Sequence, residues 1–265
     1  MSTLRIASYN IHRCIGCDGK HNPQRVARVL QLLDADIIAL QEVGFETDKE
    51  HNVLQYLGKS IDAQIIEGVT LLDERGHYGN AVLSRLPIDT IKLHDISVSH
   101  CEPRGVIELQ LDINGQRLQL LATHLGLRPG ERRSQVDYIL AVLSDSHADI
   151  QVLVGDLNQW WCGSASRRRL QNYFSRAANR RRQCPAPRTF PARWPLFSLD
   201  RILLQPAELC DRLEHGHKAL LGRNTNSRNT APIDASIRRL AACASDHLPL
   251  LAELRLPDQT QSGKA

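Results

Sequence analysis

The stretch Val152-Leu153-Val154-Gly155-Asp156-Leu157-Asn158 decides how this sequence reads. A short run of branched apolar residues closed by Gly reads as a strand buried on both faces. It ends at once in a carboxylate and an amide. The same event recurs on either side of it. Ile6-Ala7-Ser8-Tyr9 leads to Asn10, Ile37-Ile38-Ala39-Leu40 to Gln41-Glu42, and Leu118–Ala122 to Thr123-His124. Further on, Asp200 stands just before Ile202-Leu203-Leu204, and Ser245-Asp246-His247 precedes Leu248-Pro249-Leu250-Leu251. Ligands in α/β folds collect where strand ends and their loops converge. These polar residues are therefore candidates to share one rim.

The intervening sequence supports an α/β arrangement. Strands are expected over Leu4–Ile11, Asp36–Leu40, Tyr78–Ser84, Val106–Ile113, Arg117–Ala122, Ile150–Val154, Leu199–Leu204 and Leu248–Leu254. Asn114-Gly115 between two of them is a hairpin turn. Asn22-Pro23 is a helix start, followed by Val26, Val29, Leu30 and Leu33 at helical spacing. A short helix is expected over His51–Leu57, and Val136, Ile139, Leu140 and Leu143 mark another. Strands outnumber helices, and both parallel and hairpin connections are implied. The reading is α/β: mixed sheets with helices outside, in one domain over 1–256, followed by a loose tail over 257–265.

The chain has 265 residues, 42% of them hydrophobic, which supports a large core and excludes disorder. A net charge of +4 does not by itself imply nucleic acid. The charge is unevenly placed. Residues 164–195 hold nine Arg and no acidic residue, so taking them away leaves the rest at −5. No segment reaches the about 20 apolar residues of a membrane span. Met1-Ser2-Thr3-Leu4-Arg5 lacks the apolar core of a signal peptide, and the expected location is cytoplasmic. Seven cysteines are scattered along the chain and read as free thiols. Cys14-Ile15-Gly16-Cys17 has no second pair at zinc spacing.

Carboxylate and amide oxygens suit a hard cation, Mg²⁺ or Mn²⁺, rather than a thiolate zinc site. Taken singly, each motif has an ordinary explanation. Gln41-Glu42 reads as a loop, Asp156-x-Asn158 as a turn or cap, and a strand-end His as a structural hydrogen-bonding residue. Their order and spread along the chain carry the argument.

That order resembles the endonuclease/exonuclease/phosphatase superfamily. The matching runs are Ser8-Tyr9-Asn10, Leu40-Gln41-Glu42-Val43, Gly79-Asn80-Ala81-Val82-Leu83-Ser84, Thr123-His124-Leu125, Gly155-Asp156-Leu157-Asn158, Leu199-Asp200-Arg201-Ile202 and Ser245-Asp246-His247-Leu248-Pro249. The resemblance implies a four-layer α/β sandwich, with two mixed sheets face to face and helices outside. It implies Glu42 as the main metal ligand, with Asn10 beside it and Asp246 near the ion. It implies that Asp156 orients or deprotonates the attacking water, that Asn158 holds the phosphate, and that His124 donates to a phosphate oxygen. His247 is implied as the partner of Asp200, stabilising phosphoryl oxygens or moving a proton. Thr123-His124-Leu125 is similar to the sphingomyelinase and deoxyribonuclease groups. Tyr9-Asn10-Ile11-His12 lacks the acidic residue two places after the Asn that abasic-site endonucleases carry.

The expected activity is metal-dependent hydrolysis of a phosphodiester by direct attack of water, with nucleic acid or a phospholipid head group as substrate. A phosphomonoesterase and a catalytically silent binding module are the alternatives. Arg104 and Asn80 are candidate substrate contacts, and His12 a plain strand-end hydrogen bond. The Arg-rich segment reads either as a phosphate grip or as a solvated helix and loop. Trp160-Trp161, Phe190 and Trp194 either stack on bases, enter a membrane interface, or close the core beneath the site.

Overall fold

The computed structural model describes residues 2–45, 52–73, 76–161, 163–174, 187–206, 209–215, 240–241 and 243–256. The expected tail over 257–265 lies outside them. The chain runs β1 (Ser2–Asn10), α1 (Pro23–Leu33), β2 (Ile37–Phe45), α2 (Val53–Ser60), β3 (Gln64–Asp73), β4 (Gly76–Ser84), β5 (Thr90–Asp95) and β6 (Gly105–Ile113). It continues as β7 (Gln116–His124), α3 (Pro129–Ser144), β8 (Ile150–Asp156), α4 (Ala165–Phe174), β9 (Asp200–Gln205), β10 (Cys210–His215) and β11 (Leu250–Leu256).

One sheet has six strands in the order β10-β11-β1-β2-β4-β3, and the other five in the order β5-β6-β7-β8-β9. Both are mixed. β1 and β2 are parallel, as are β7 and β8, and every other neighbour is antiparallel. Each parallel pair is joined by a crossover helix, α1 or α3.

Strand alternation divides the apolar side chains into three layers of packing. Ile37 and Ala39 face the other sheet, whereas Ile38 and Leu40 face α1 and α2. In β8, Val152 and Val154 point between the sheets while Leu153 packs under α3 and α4. Two-sided burial is why these strands read as continuous apolar runs. The result is the expected four-layer sandwich.

Local chemistry sets the boundaries. Asn22 Oδ1 accepts from Arg25 N at 3.0 Å and caps α1. Asn114 and Gly115 take positive φ, 55° and 79°, as the expected hairpin turn requires. Three expectations shift. The helix expected over His51–Leu57 starts at Val53, because Asn52 Oδ1 caps Gln55 N at 3.1 Å; His51 is outside the described residues. The last strand begins at Leu250, after Pro249, which has no N–H for the ladder. β2 runs past Leu40 to Phe45, through a bulge between Leu40 and Val43. β3, β5 and β10 were not anticipated from the sequence.

Candidate active site

The registers bring the strand-end polar residues to one level. His124 pairs with Asp156 across β7 and β8, and Asp156 with Asp200 across β8 and β9. On the facing sheet, Asn10 pairs with Gln41. The β2 bulge gives Glu42 a φ of 56° and turns its side chain to Asn10, whose Nδ2 lies 2.8 Å from Oε1. The same Nδ2 reaches Asp156 Oδ2 at 3.2 Å, so Asn10 joins the two sheets. Gly155 carries a φ of 140°, and a Cβ there would collide with Thr123 O. Glycine thus lets β8 close against β7 one residue before Asp156.

Asp156 is fully enclosed. Its Oδ1 accepts from Asn158 N at 2.9 Å, and its Oδ2 lies 3.6 Å from His124 Nε2 and 3.8 Å from His247 Nε2. His247 Nδ1 meets Asp200 Oδ2 at 2.9 Å. Asp200 is completely buried, and its Oδ1 has no hydrogen-bond partner. Ser245 Oγ donates to Asn10 O at 2.7 Å and accepts from His247 N at 3.2 Å, bracing the loop against β1.

Burial opposes a charge on His247. The adjacent Asp200, as charge and as hydrogen-bond partner, together with Asp156 and Asp246, outweighs it and pushes the pKa up to about 10. Burial, and then the charge of Asp200, push the Asp156 carboxyl up. Burial drives His124 the other way, to about 3, with the charges of Arg104 and His247 adding to it against the pull of Asp156.

The tautomer of His124 follows from its neighbour. Arg104 Nη1 lies 3.2 Å from His124 Nδ1, and a guanidinium can only donate. Nδ1 is then bare, and the proton sits on Nε2, facing the site. Asn158 Nδ2 lies 3.1 Å from Nε2 and donates to Leu125 O at 2.8 Å. Two donors therefore abut, and an acceptor oxygen between them would satisfy both.

Of the residues expected to hold a metal, Asn10 and Glu42 are brought together. Asp246 stands across His12: its Oδ1 lies 3.7 Å from His12 Nδ1, and His12 N donates to Asn10 Oδ1 at 3.1 Å. Among the described residues, Asp156, Asp200 and His247 also offer ligand atoms within 4.8 Å of one another. Within that group Asp200 Oδ2 and His247 Nδ1 are engaged with each other, as Asn10 Nδ2 is with Glu42 Oε1. Glu42, Asp156 and Asp246 supply hard carboxylate oxygens, and the buried Asp200 Oδ1 is left without a hydrogen-bond partner. This set fits a divalent cation of the Mg²⁺ type.

Asn80 lies on β4 beside the β2 bulge and is buried; with Arg104 it lines a cavity of about 590 Å³. Arg104 also donates from Nη2 to Glu102 Oε2 at 3.0 Å. His12 Nδ1 lies 3.2 Å from Ile15 O, a local contact at the strand end. Cys14 and Cys17 are free thiols.

The tryptophans do not close the core: Trp160, Trp161 and Trp194 are exposed. Phe190 behaves differently and packs its ring on His247, centroids 4.9 Å apart. Arg167, Arg168 and Arg169 lie on α4, where Arg169 pairs with Asp137 of α3. Arg176, Arg180, Arg181 and Arg182 fall outside the described residues.

Sequence reasoning missed Tyr78, whose hydroxyl bonds Glu42 and whose pKa is raised by burial and by that carboxylate. Its place just before the Gly79-Asn80 run was the available signal. Thr189, whose Oγ1 accepts from Asp200 N at 3.4 Å, carried no signal at all.

Comparison with known proteins agrees with this fold. The Escherichia coli protein YbhP, described as uncharacterized, is 29% identical over 239 residues, covering 86% of each chain. A structure from Bacteroides vulgatus superposes with a TM-score of 0.68 at 18% identity, covering 97% of this chain and 100% of that one. The D. rerio TDP2 complexed with single strand DNA product gives 0.61 at 20% identity, covering 97% and 100%. No described helix is long and apolar enough to cross a membrane. The sequence model of the Endonuclease/Exonuclease/phosphatase family matches residues 7–247. The chain belongs to that family, whose members hydrolyse phosphoester bonds and generally depend on a divalent metal.

Proposed function

We propose that this protein is a divalent-metal-dependent phosphodiesterase that cleaves its substrate by direct attack of water. The observation that carries the reading is the buried Asp200–His247 pair, with His247 Nε2 3.8 Å from Asp156 Oδ2. No nucleophilic side chain is part of this group, whereas an acceptor for a water proton and two imidazoles are.

Glu42 and Asn10, with Asp246 near them, would hold Mg²⁺ or Mn²⁺, whose charge would neutralise the phosphoryl oxygens. Asp156 orients the water and accepts its proton; burial and the charge of Asp200 make this carboxyl more basic than usual. Asp200 fixes Nδ1 of His247 and keeps the ring charged at neutral pH. Nε2–H then faces the developing charge on the phosphoryl and departing oxygens. Asn158 and neutral His124 donate to a phosphoryl oxygen, and Arg104 and Asn80 line the cavity beside it.

The substrate class is a phosphodiester of nucleic acid or of a phospholipid head group. The test offers folded protein supercoiled plasmid and dispersed phospholipid with Mg²⁺. Cleavage of either that is lost with EDTA and in His247→Ala supports the reading. Cleavage of neither, or of phosphomonoesters alone, contradicts it.

A further inference from the structure

The rim around the site carries a second pattern that the chemistry does not use. All three tryptophans of the chain lie on loops that adjoin site residues in sequence, with Trp160 56%, Trp161 62% and Trp194 74% exposed. Leu127, Leu196 and Phe197 join them at 68%, 61% and 41%. Among the described residues these six make up half of the twelve large apolar side chains left exposed, and include four of the five most exposed. Tryptophan is highly buried on average, so three exposed copies beside one site are not background.

Three loops present these side chains, and hydrogen bonds hold the loops together. Asn158 Nδ2 ties the β8 loop to Leu125 O of the β7 loop at 2.8 Å. Leu157 N donates to Leu199 O at 3.0 Å, joining the β8 loop to the segment before β9. Leu196 N and Phe197 N both donate to Phe190 O at 2.8 Å, and Phe190 rests on His247. The loops that carry the apolar residues are thus braced to one another at Asn158 and His247.

The composition selects the occupant. Trp160 and Trp161 meet edge to face, centroids 6.1 Å apart and planes at 81°, so they do not form a parallel stack for successive bases. Leu127 and Leu196 have no π face to offer a base. Aromatic rings with aliphatic tips suit a bilayer interface, with indoles at the head groups and leucines below them. Arg188 and Arg193 are exposed on the loop that carries Trp194. Guanidinium groups there match lipid phosphates.

We infer that this face seats the catalytic rim on the surface of an anionic phospholipid membrane, which presents a lipid phosphodiester to the site. The substrate half of the inference rests on the proposed phosphodiesterase; the docking half does not.

Because every tryptophan of the chain is exposed on these loops, intrinsic fluorescence reads them directly. Full-length protein in EDTA is mixed with vesicles of phosphatidylcholine alone, with vesicles of equal parts phosphatidylcholine and phosphatidylglycerol, and with a single-stranded oligonucleotide. The expected result is a blue shift with the anionic vesicles and quenching by brominated acyl chains. Trp160→Ala/Trp161→Ala with Leu196→Ser should weaken partitioning by about tenfold or more, with Trp194 still reporting and the circular dichroism unchanged. No shift with vesicles overturns the inference, as does a shift confined to the oligonucleotide. Vesicle binding with unshifted tryptophans overturns it too, by placing the contact elsewhere. The readout needs neither metal nor turnover, so docking and chemistry fail separately.

Discussion

Replacing His124 by Asn should flatten the acid limb of this protein's stability. The ring faces Arg104 on one side and Asp156, Asn158 and His247 on the other, and burial with the two cationic neighbours lowers its pKa to about 3. In the unfolded chain the same ring titrates near 6.5. Between those values the unfolded state holds a proton that the native state refuses, so stability is complete above the unfolded pKa and falls as the pH drops. Going from about pH 7.5 to about pH 5, this residue alone should cost about 2 kcal/mol. Urea unfolding at both pH values, on wild type and His124→Asn, measures it. Other groups titrate in both proteins and largely cancel, so the wild type should lose about 2 kcal/mol more than the variant. Equal losses would refute a neutral, buried His124, and with it the tautomer assigned from Arg104.

Asp200→Asn and His247→Ala should each lower turnover by about 10²- to 10⁴-fold, and the double variant by no more than the worse single one, because the pair acts as a unit. Simple multiplication of the two losses would reject the coupling. Glu42→Gln should raise the Mg²⁺ concentration for half-maximal activity by about tenfold or more while leaving the fold intact; an unchanged metal titration would remove Glu42 from the metal site. Gly155→Ala should destabilise the protein by about 2 kcal/mol or more, since it meets both a positive φ and the Thr123 carbonyl. An unfolding midpoint equal to the wild type would show that β7 and β8 can part there without cost.

The parallel strands were legible because they are buried twice over. Ile37–Leu40 and Val152–Val154 send alternate side chains into two different cores, so nearly every position must be apolar. The strands that escaped notice lie at or near sheet edges. β5 exposes five of its six side chains, and β3 interrupts its apolar run with Glu67 and Gly68, so neither carries a clean period. The polar residues that the structure gathers at the candidate site could be read from their place at the ends of apolar runs, because the strand registers bring those ends to one level. What could not be read are the residues that act on them from a distance in sequence. Tyr78 reaches Glu42 through a bulge, Phe190 covers His247 from a loop, and Thr189 meets Asp200 in the packed interior. Nor did the strand-end motifs disclose that Arg104 would abut His124, a contact 20 residues apart in sequence and made by the β6–β7 pairing.

The central claim is that this rim hydrolyses phosphodiesters with a divalent cation and the Asp200–His247 pair. The measurement that tests it most directly is steady-state hydrolysis of bis(p-nitrophenyl) phosphate across an Mg²⁺ titration, beside the monoester p-nitrophenyl phosphate, for wild type and His247→Ala. The account predicts saturable metal activation, preference for the diester, and loss of both in the variant. Hydrolysis indifferent to Mg²⁺ or to His247, or confined to the monoester, would contradict it.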